Sequence, residues 1–570
     1  MTTPLETLDT DVLVVGGGLA ALRAAYDAAG EGARVALAVK GRAGRSGSSA
    51  MTSAGYSAWI RPDDSPERHY QDTIAGGRGL TEPRLAEALA REAPLRRAEL
   101  VDLGGRLAQL EGEPAIHASG DHSVPRTVVA ENFKGLDFTI PLLEAVRRRG
   151  VRLLERTATL DLLTRGGEIE GAVCLRYAEP GGLLRVDCRA VILAAGGAGQ
   201  LFAVTSNTSD VTGDGYALAL RAGAAVRDME FIQFYPWRCI VPFAGTRMPI
   251  QPSTFVLGAR LYNRRSERFM DDYDPVKHEA TTRDLAARAI YQQIAANLDV
   301  KGGVRLDVSD LTEEQWVRSN PKPARYFLER GVDFHDQEMI LSPEAHFFMG
   351  GVVVDEWGAS RVPGLYVAGE TAGGLHGANR LDSNAIPETQ VFGARAGRAA
   401  AARAIGAGRR TGDQALASRW RSLSDHGDGD LGDYERMRRR LKETAWLRLG
   451  IVRDGEGLRA GLREVRRLAD ELGARAPASP RALLAHSELA SSLLTAEACF
   501  TAALHRRESR GAHFRSDFPD QDPAWSRPSV LGLGPDGPVL EEAPFLEAAP
   551  PSRPGGDRPS PPHEEVSDDG

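Results

Sequence analysis

Apolar residues along this chain fall into two patterns: short unbroken runs that end on glycine, and longer stretches in which they recur every three or four positions. Residues 11–15, D-V-L-V-V, form the first run, of strand length and almost wholly apolar, as a strand covered on both faces requires. It passes through Gly16, Gly17 and Gly18 into residues 20–29, an Ala-rich helix former, and residues 34–39 follow as a second strand. The strand-to-glycine pattern returns at 190–199, A-V-I-L-A-A-G-G-A-G, and at 364–370, G-L-Y-V-A-G-E. Units so far apart predict one nucleotide domain assembled from separated pieces, with residues from about 235 to 344 inserted as a lid.

Elsewhere the period is helical over 65–103 and over 139–149, where Gly150 is the stop. Strands are predicted over 151–177, around the turn R-G-G-E, and over 183–188; residues 116–127 follow neither period. A helix over 389–405, stopped by Gly406 and Gly408, closes the third glycine piece. Beyond Ser418 three amphipathic helices are predicted, at 433–449, 455–473 and 480–508, with arginines on solvated faces. From Asp520 onward Pro, Gly and acids dominate, and the last twenty residues are expected to be disordered.

The glycines carry the first chemistry. Gly16 permits a tight turn, Gly18 lets the backbone approach a pyrophosphate, and Ala21 stands where a third small residue lets the helix pack on the strand. A diphosphate would lie at the helix N-terminus, favoured by free N–H groups and the helix dipole. The acid that ordinarily ends the second strand and holds a ribose is missing, because the strand ends Ala38, Val39, Lys40. Glu370, at the end of the third run, is placed to accept bonds from sugar hydroxyls, and the loop 40–51, K-G-R-A-G-R-S-G-S-S-A-M, can lie flat against a planar ring.

Composition narrows the partners. The chain has 570 residues, 42% hydrophobic and 26% charged, enough for several domains. Of the net charge of −8, the acids and arginines between Glu541 and Asp569 account for −6, so the body is nearly neutral and offers nucleic acid no basic surface. Four cysteines without C-x-x-C spacing exclude a structural zinc, an iron–sulfur cluster and a disulfide framework, and they fit a reducing, cytoplasmic setting. No apolar run approaches the roughly 20 residues that span a bilayer, and M-T-T-P-L-E-T-L-D-T-D has no signal-peptide regions.

Ordered motifs then point to one family. V-V-G-G-G-L-A, G-R-S-G-S-S-A, L-A-A-G-G-A-G, T-G-D-G-Y-A-L-A-L-R-A-G-A, T-R-D-L-A-A-R-A-I, E-A-H-F-F-M-G-G-V, G-L-H-G-A-N-R-L-D-S-N-A and E-S-R-G-A-H-F-R-S-D-F-P resemble the flavoprotein subunits of succinate dehydrogenase and fumarate reductase, and L-aspartate oxidase. The resemblance covers roughly residues 8–520. It implies an α/β fold: a discontinuous Rossmann-like FAD-binding domain (8–234 plus 345–410), an inserted α+β capping domain (235–344), a helical domain (415–520) and an extended, partly disordered acidic tail (521–570). It implies FAD, with Gly16, Gly18, Leu19, Ala20, Lys40, Arg45, Ser46, Ser48, Gly197, Asp214, Glu370, Ser383 and Asn384 at matching positions. The loop equivalent to 45–51 carries a flavin-linked histidine in the membrane-complex members; here it has Gly47 and Ser48, so FAD is expected to be non-covalent.

For the reaction, the resemblance implies that Arg380 clamps a substrate carboxylate bidentately, that His346 donates to the same carboxylate, and that Arg283 delivers or collects a proton. Arg288, little more than a turn beyond, reads as a helix-face ion-pair member. Two departures alter the substrate end. Tyr235 stands where dicarboxylate-specific members have histidine, and Gln251 and Pro252 fall near their Thr-Glu pair. The expected enzyme is a soluble FAD-dependent oxidoreductase moving hydride between flavin N5 and a small carboxylate-bearing substrate that is not a plain dicarboxylate. Tyr235 and Trp237 suggest a larger or less charged group. Oxygen, a quinone or a carrier protein is the acceptor, and an iron–sulfur partner or homo-oligomer is the expected assembly. The alternatives are L-aspartate oxidase or fumarate reductase proper, and a flavin electron-transfer subunit beside a separate iron–sulfur protein.

Overall fold

The apolar runs meet in one parallel sheet. In the computed structural model, which describes residues 6–119, 121–178, 181–243, 248–406, 420 and 429–542, strand β1 (Val12–Val15) leads into helix α1 (Leu19–Gly30), and β2 (Val35–Val39), β3 (Arg152–Glu155), β4 (Ala190–Leu193) and β5 (Leu365–Val367) follow. Their order is β5-β4-β1-β2-β3, all parallel. Every residue of β1, β2, β4 and β5 is buried because both faces are covered.

One face packs on α1 and on helix α2 (Ala385–Ala404), and the other on a four-stranded sheet that includes Thr157–Arg165 and Glu168–Arg176. The two helices touch backbone to backbone through small residues. A Cβ on Gly397 would stand 2.5 Å from the Ala24 carbonyl oxygen, so alanine there would force the helices apart.

A second sheet carries its own core. Strand Ile232–Val241 pairs antiparallel with Met339–Phe348, and Val304–Asp307 and Arg260–Tyr262 extend it. Trp237, Phe255, Trp316 and Phe334 fill the space beneath, together with helix Arg283–Ala295. The first two strands lead the chain out to this unit and back.

Helices Leu431–Arg448, Gly455–Gly473 and Pro480–His505 form the C-terminal bundle. The last docks on the T-G-D-G turn: Ser492 Oγ donates to the Thr212 carbonyl at 2.8 Å and Thr495 Oγ1 to that of Gly213 at 3.2 Å. Beyond it, residues expected as extended tail form a hairpin, Val530–Gly534 with Gly537–Leu540, whose first strand pairs with Val226–Arg227. Arg506 ties this return together, buried among Glu230, Glu508 and the carbonyls of Trp525 and Arg527.

The helical period over 65–103 is borne out as two helices, Pro66–Gly76 and Pro83–Asp102. Two further expectations need correction. Helix α2 begins a turn earlier than 389, because Pro387 falls in the first turn, where a missing N–H costs no hydrogen bond. Ile116–His117 and Thr127–Val129, at the two ends of the stretch with no clear period, are strands that pair with each other, and the latter also pairs with Gly55–Ser57. Gly408 and the last twenty residues lie outside the described residues.

Removing Arg506 leaves buried Glu230 without its ion-pair partner and takes from Glu508 one of two, the other being Arg510, a loss of about 3–5 kcal/mol. Arg506→Ala should therefore lower the thermal midpoint and expose the hairpin at 530–540 to limited proteolysis before the rest of the chain is cut.

Candidate active site

A single long cavity runs from the glycine turn after β1 to the seam with the second sheet. At the first end, Gly16 has a φ of +130°, and a Cβ on it would lie 2.1 Å from the Ala194 carbonyl oxygen. That contact fixes how closely β1 and β4 approach. Gly18 is the N-cap of α1, where a Cβ would meet Ser49 Oγ at 2.9 Å, and Ala20 lines the cavity from the first turn. The amide of Leu19, one of the positions matched to FAD binding, donates to Ser49 Oγ at 3.1 Å.

Lys40 reaches across this end to Asp214 Oδ2 at 2.6 Å, Thr212 Oγ1 at 2.7 Å and Glu488 Oε1 at 2.9 Å. Burial alone would lower its pKa, but the two carboxylates outweigh that and raise it. Glu488 and Ser487 come from the last helix of the bundle and line the cavity. Nothing in the local sequence marks them, since the contact joins residues more than four hundred positions apart.

In the middle of the cavity, Ser46, Ser48, Ser383 and Glu370 line the wall. Ser48 Oγ is buried without a hydrogen-bond partner, and Ser383 has a φ of +61°. Glu370 accepts from the Phe348 N–H at 3.0 Å, and burial pushes its carboxyl up to about 7 despite that bond. A two-phosphate ligand with a planar polar ring matches these features: a helix N-terminus with close backbone, an orphaned hydroxyl and a buried carboxyl along one wall.

The far end holds the charged groups. Arg380 is buried over the Phe347 ring, 4.4 Å from its centroid, and its Nη2 donates to Gln233 Oε1 at 2.9 Å. Arg283 donates from Nη1 to the same oxygen at 3.4 Å and forms an ion pair with Asp382 through Nη2. Asp382 thus balances Arg283, while Arg380 has no carboxylate among the described residues and keeps an unpartnered Nε. Burial, with Arg283 beside it, lowers the Arg380 pKa to about 10. His346 is held well below its ordinary value by burial and by Arg380, so its ring is neutral; its Nδ1 lies 2.8 Å from Ser206 Oγ.

Several sequence expectations are not met by this geometry. Arg45 is exposed and faces a separate arginine-lined hollow with Arg42 and Arg147. Gly197 packs on Glu370, where a Cβ would come within 2.2 Å of its Oε1, and is not part of the cavity wall. Asn384 is tied to His69 Nε2 at 2.9 Å and to Thr73 Oγ1 at 3.2 Å, outside the cavity. Tyr235 does line the cavity, but its hydroxyl donates to the Ile250 carbonyl at 2.6 Å. Trp237 stacks on Phe255 in the core beneath and does not reach the cavity. Arg288 lies over the Phe514 ring at 4.5 Å rather than in an ion pair. Sequence reasoning missed Gln233, two residues before Tyr235, and Asp382, inside G-L-H-G-A-N-R-L-D-S-N-A; only their contacts with the two arginines distinguish them.

A glycine-turn nucleotide cradle leading to two buried arginines and a neutral histidine defines a flavoprotein oxidoreductase. Comparison with known proteins agrees. Residues 11–386 match the FAD binding domain family and residues 438–544 the family described as fumarate reductase flavoprotein C-term. One subunit of the fumarate reductase (CoM/CoB) of Methanothermobacter marburgensis is 36% identical over 538 residues, covering 92% of this chain and 97% of that one. The L-aspartate oxidase of Synechocystis sp. is 33% identical over 548 residues, covering 91% and 96%. Among solved structures, FrdA of E. coli quinol fumarate reductase, carrying a point mutation, matches with a TM-score of 0.86 at 27% identity, covering 96% and 99%. The chain belongs to the fumarate reductase, succinate dehydrogenase and L-aspartate oxidase family of FAD-dependent oxidoreductases. No helix among the described residues is long and apolar enough to cross a membrane.

Because its Cβ has nowhere to go, Gly16→Ala should abolish FAD retention. The purified variant is expected to be colourless, whereas a Ser48→Ala variant, which loses one hydroxyl, should stay yellow with FAD bound about tenfold more weakly, a loss of about 1.4 kcal/mol.

Proposed function

We propose that this enzyme transfers hydride to or from a carbon next to, or one removed from, a substrate carboxylate, and that Arg380 is the carboxylate clamp. FAD, held without a covalent bond, supplies the hydride acceptor or donor at its N5 when bound. The observation that carries the reading is the pair of guanidiniums sharing Gln233 Oε1: one neutralised by Asp382, the other without an anion and aimed at the same cavity. A substrate carboxylate replaces a neutral amide oxygen at Arg380 with a bidentate, charge-assisted partner. His346, whose Nδ1 lies 2.8 Å from Ser206 Oγ, donates to the same group in the tautomer that carries its proton on Nε2.

Arg283 shares Gln233 Oε1 with Arg380, and its contact with Asp382 joins it to an acid that can pass a proton in either direction. Asp382 in turn donates its main-chain N–H to Asp121 Oδ2 at 2.7 Å. Helix Arg283–Ala295 belongs to the inserted unit, so movement of that unit brings the proton-handling arginine to the clamp and excludes water from it. Holding the reacting carbon in place supplies most of the rate.

A short dicarboxylate is a poor match for this site. The Tyr235 hydroxyl proton is committed to the Ile250 carbonyl, and Pro252 has no N–H, so two positions that could serve a second carboxylate offer no donor. Each missing charge-assisted bond costs about 1.5–3 kcal/mol. The alternative reading, L-aspartate oxidase or fumarate reductase proper, is separated by steady-state turnover of aspartate and fumarate: rates ordinary for those enzymes would overturn the altered-substrate reading. The Methanothermobacter relative is named as one subunit of its enzyme, which favours a further reading in which electrons pass to a separate iron–sulfur protein rather than to oxygen or a quinone. Co-purification with a cysteine-rich partner, and little activity alone, would support it.

Arg380→Ala should keep the flavin spectrum and raise the substrate KM by about a hundredfold or more, about 3 kcal/mol, with Arg380→Lys recovering only part. Unchanged kinetics would refute the clamp.

A further inference from the structure

Lys322 lines the same cavity as Arg380 and is half-buried in its wall, at the second position of helix Pro321–Leu328. Among the described residues its ammonium forms no ion pair and no side-chain hydrogen bond. The cavity's paired acids are already taken: Asp382 by Arg283, Asp214 and Glu488 by Lys40, Glu344 by Arg238, and Glu388 by His376. Among the described residues, Lys322 and Arg380 are therefore the two cavity cations left without a carboxylate, and burial lowers the pKa of both.

The place of Lys322 is set by a polar latch. The Gln251 N–H donates to Asn320 Oδ1 at 2.9 Å, and Asn320 Nδ2 donates to Thr254 Oγ1 at 2.8 Å, so the start of this helix is pinned to the 251–254 turn. Gln251, Pro252 and Ser253 of that turn line the cavity beside it. A partly desolvated ammonium with no internal counter-ion is costly unless a ligand supplies one. Exposed Lys134 nearby adds to the positive potential and offers no compensation.

We propose that Lys322 is a second anion subsite, and that the substrate is an extended dianion with one carboxylate on Arg380 and a distal carboxylate or comparable oxyanion on Lys322. This rests on the reading of Arg380 as the clamp. It replaces the expectation of a less charged distal group: the second charge is kept but met farther out, by a different residue.

Calorimetric titration of the FAD-loaded full chain tests it, with glutarate and adipate each compared against the monocarboxylate of equal carbon number. The wild type should bind at least one dicarboxylate about tenfold or more tightly than its partner, and Lys322→Gln should bring that ratio close to one while Lys322→Arg keeps most of it. Lys322→Met serves as a second neutral variant if Lys322→Gln loses the flavin spectrum. A ratio near one in the wild type, or a large ratio that survives in Lys322→Gln and Lys322→Met, would overturn the subsite. If dicarboxylate binding depends on Arg380 but not on Lys322, the clamp stands and only the subsite falls; if Arg380→Ala alters no titration, both fall.

Discussion

Two guanidiniums buried within reach of one amide oxygen set the terms for the rest of this molecule. Like charges so placed repel strongly in a low-dielectric interior, and each needs compensation or a reason to lack it. Arg283 is compensated by Asp382, and Arg380 is left open, its charge softened by the Phe347 ring and by the Gln233 oxygen. A site in that condition binds an anion because the protein has already removed the arginine from water and placed it over a rigid ring. The same asymmetry separates the two groups: the ion pair with Asp382 raises the pKa of Arg283 and keeps it charged, while Arg380 is left open to an outside anion.

The architecture brings these groups together at the seam between two sheets. Gln233 and Tyr235 lie on the strand that leaves the nucleotide-binding part, Glu344 and His346 on the strand that returns, and the two strands pair with each other. Arg283 heads a helix of the inserted unit, whereas Arg380 and Asp382 precede α2, which packs on α1 and the parallel sheet. The lining of this end of the cavity therefore comes from both units, and a change in their spacing alters its shape. The nucleotide end is closed differently. There the third helix of the bundle, far along the chain, lends Glu488 to Lys40 and seats its hydroxyls on the T-G-D-G turn. An acid from the C-terminal part thus enters a wall whose own second strand ends without one.

Much of this was legible from residue order. The glycine runs are readable because a strand covered on both faces must be apolar throughout and a close backbone approach admits no Cβ; both are local conditions, written in adjacent residues. The amphipathic helices are readable for the same kind of reason. The start of α2 was harder to read, because proline breaks a helix interior but not a first turn, and only the fold shows that Pro387 occupies the latter. The hairpin at 530–540 could not be seen in a Pro- and Gly-rich stretch, since its strand forms against Val226–Arg227, three hundred residues earlier.

Residue order alone determined the parallel nucleotide sheet, the glycine turn and the family to which the site belongs, because those depend on side-chain size and spacing within single segments. Only the tertiary structure decided which polar groups are spent and which are free. Tyr235 is spent on the Ile250 carbonyl, Asn384 on His69, and Arg283 on Asp382; Arg380 and Lys322 are left without a counter-ion. The availability of a charge is a property of its neighbours in space, and those neighbours come from segments that only folding brings into contact.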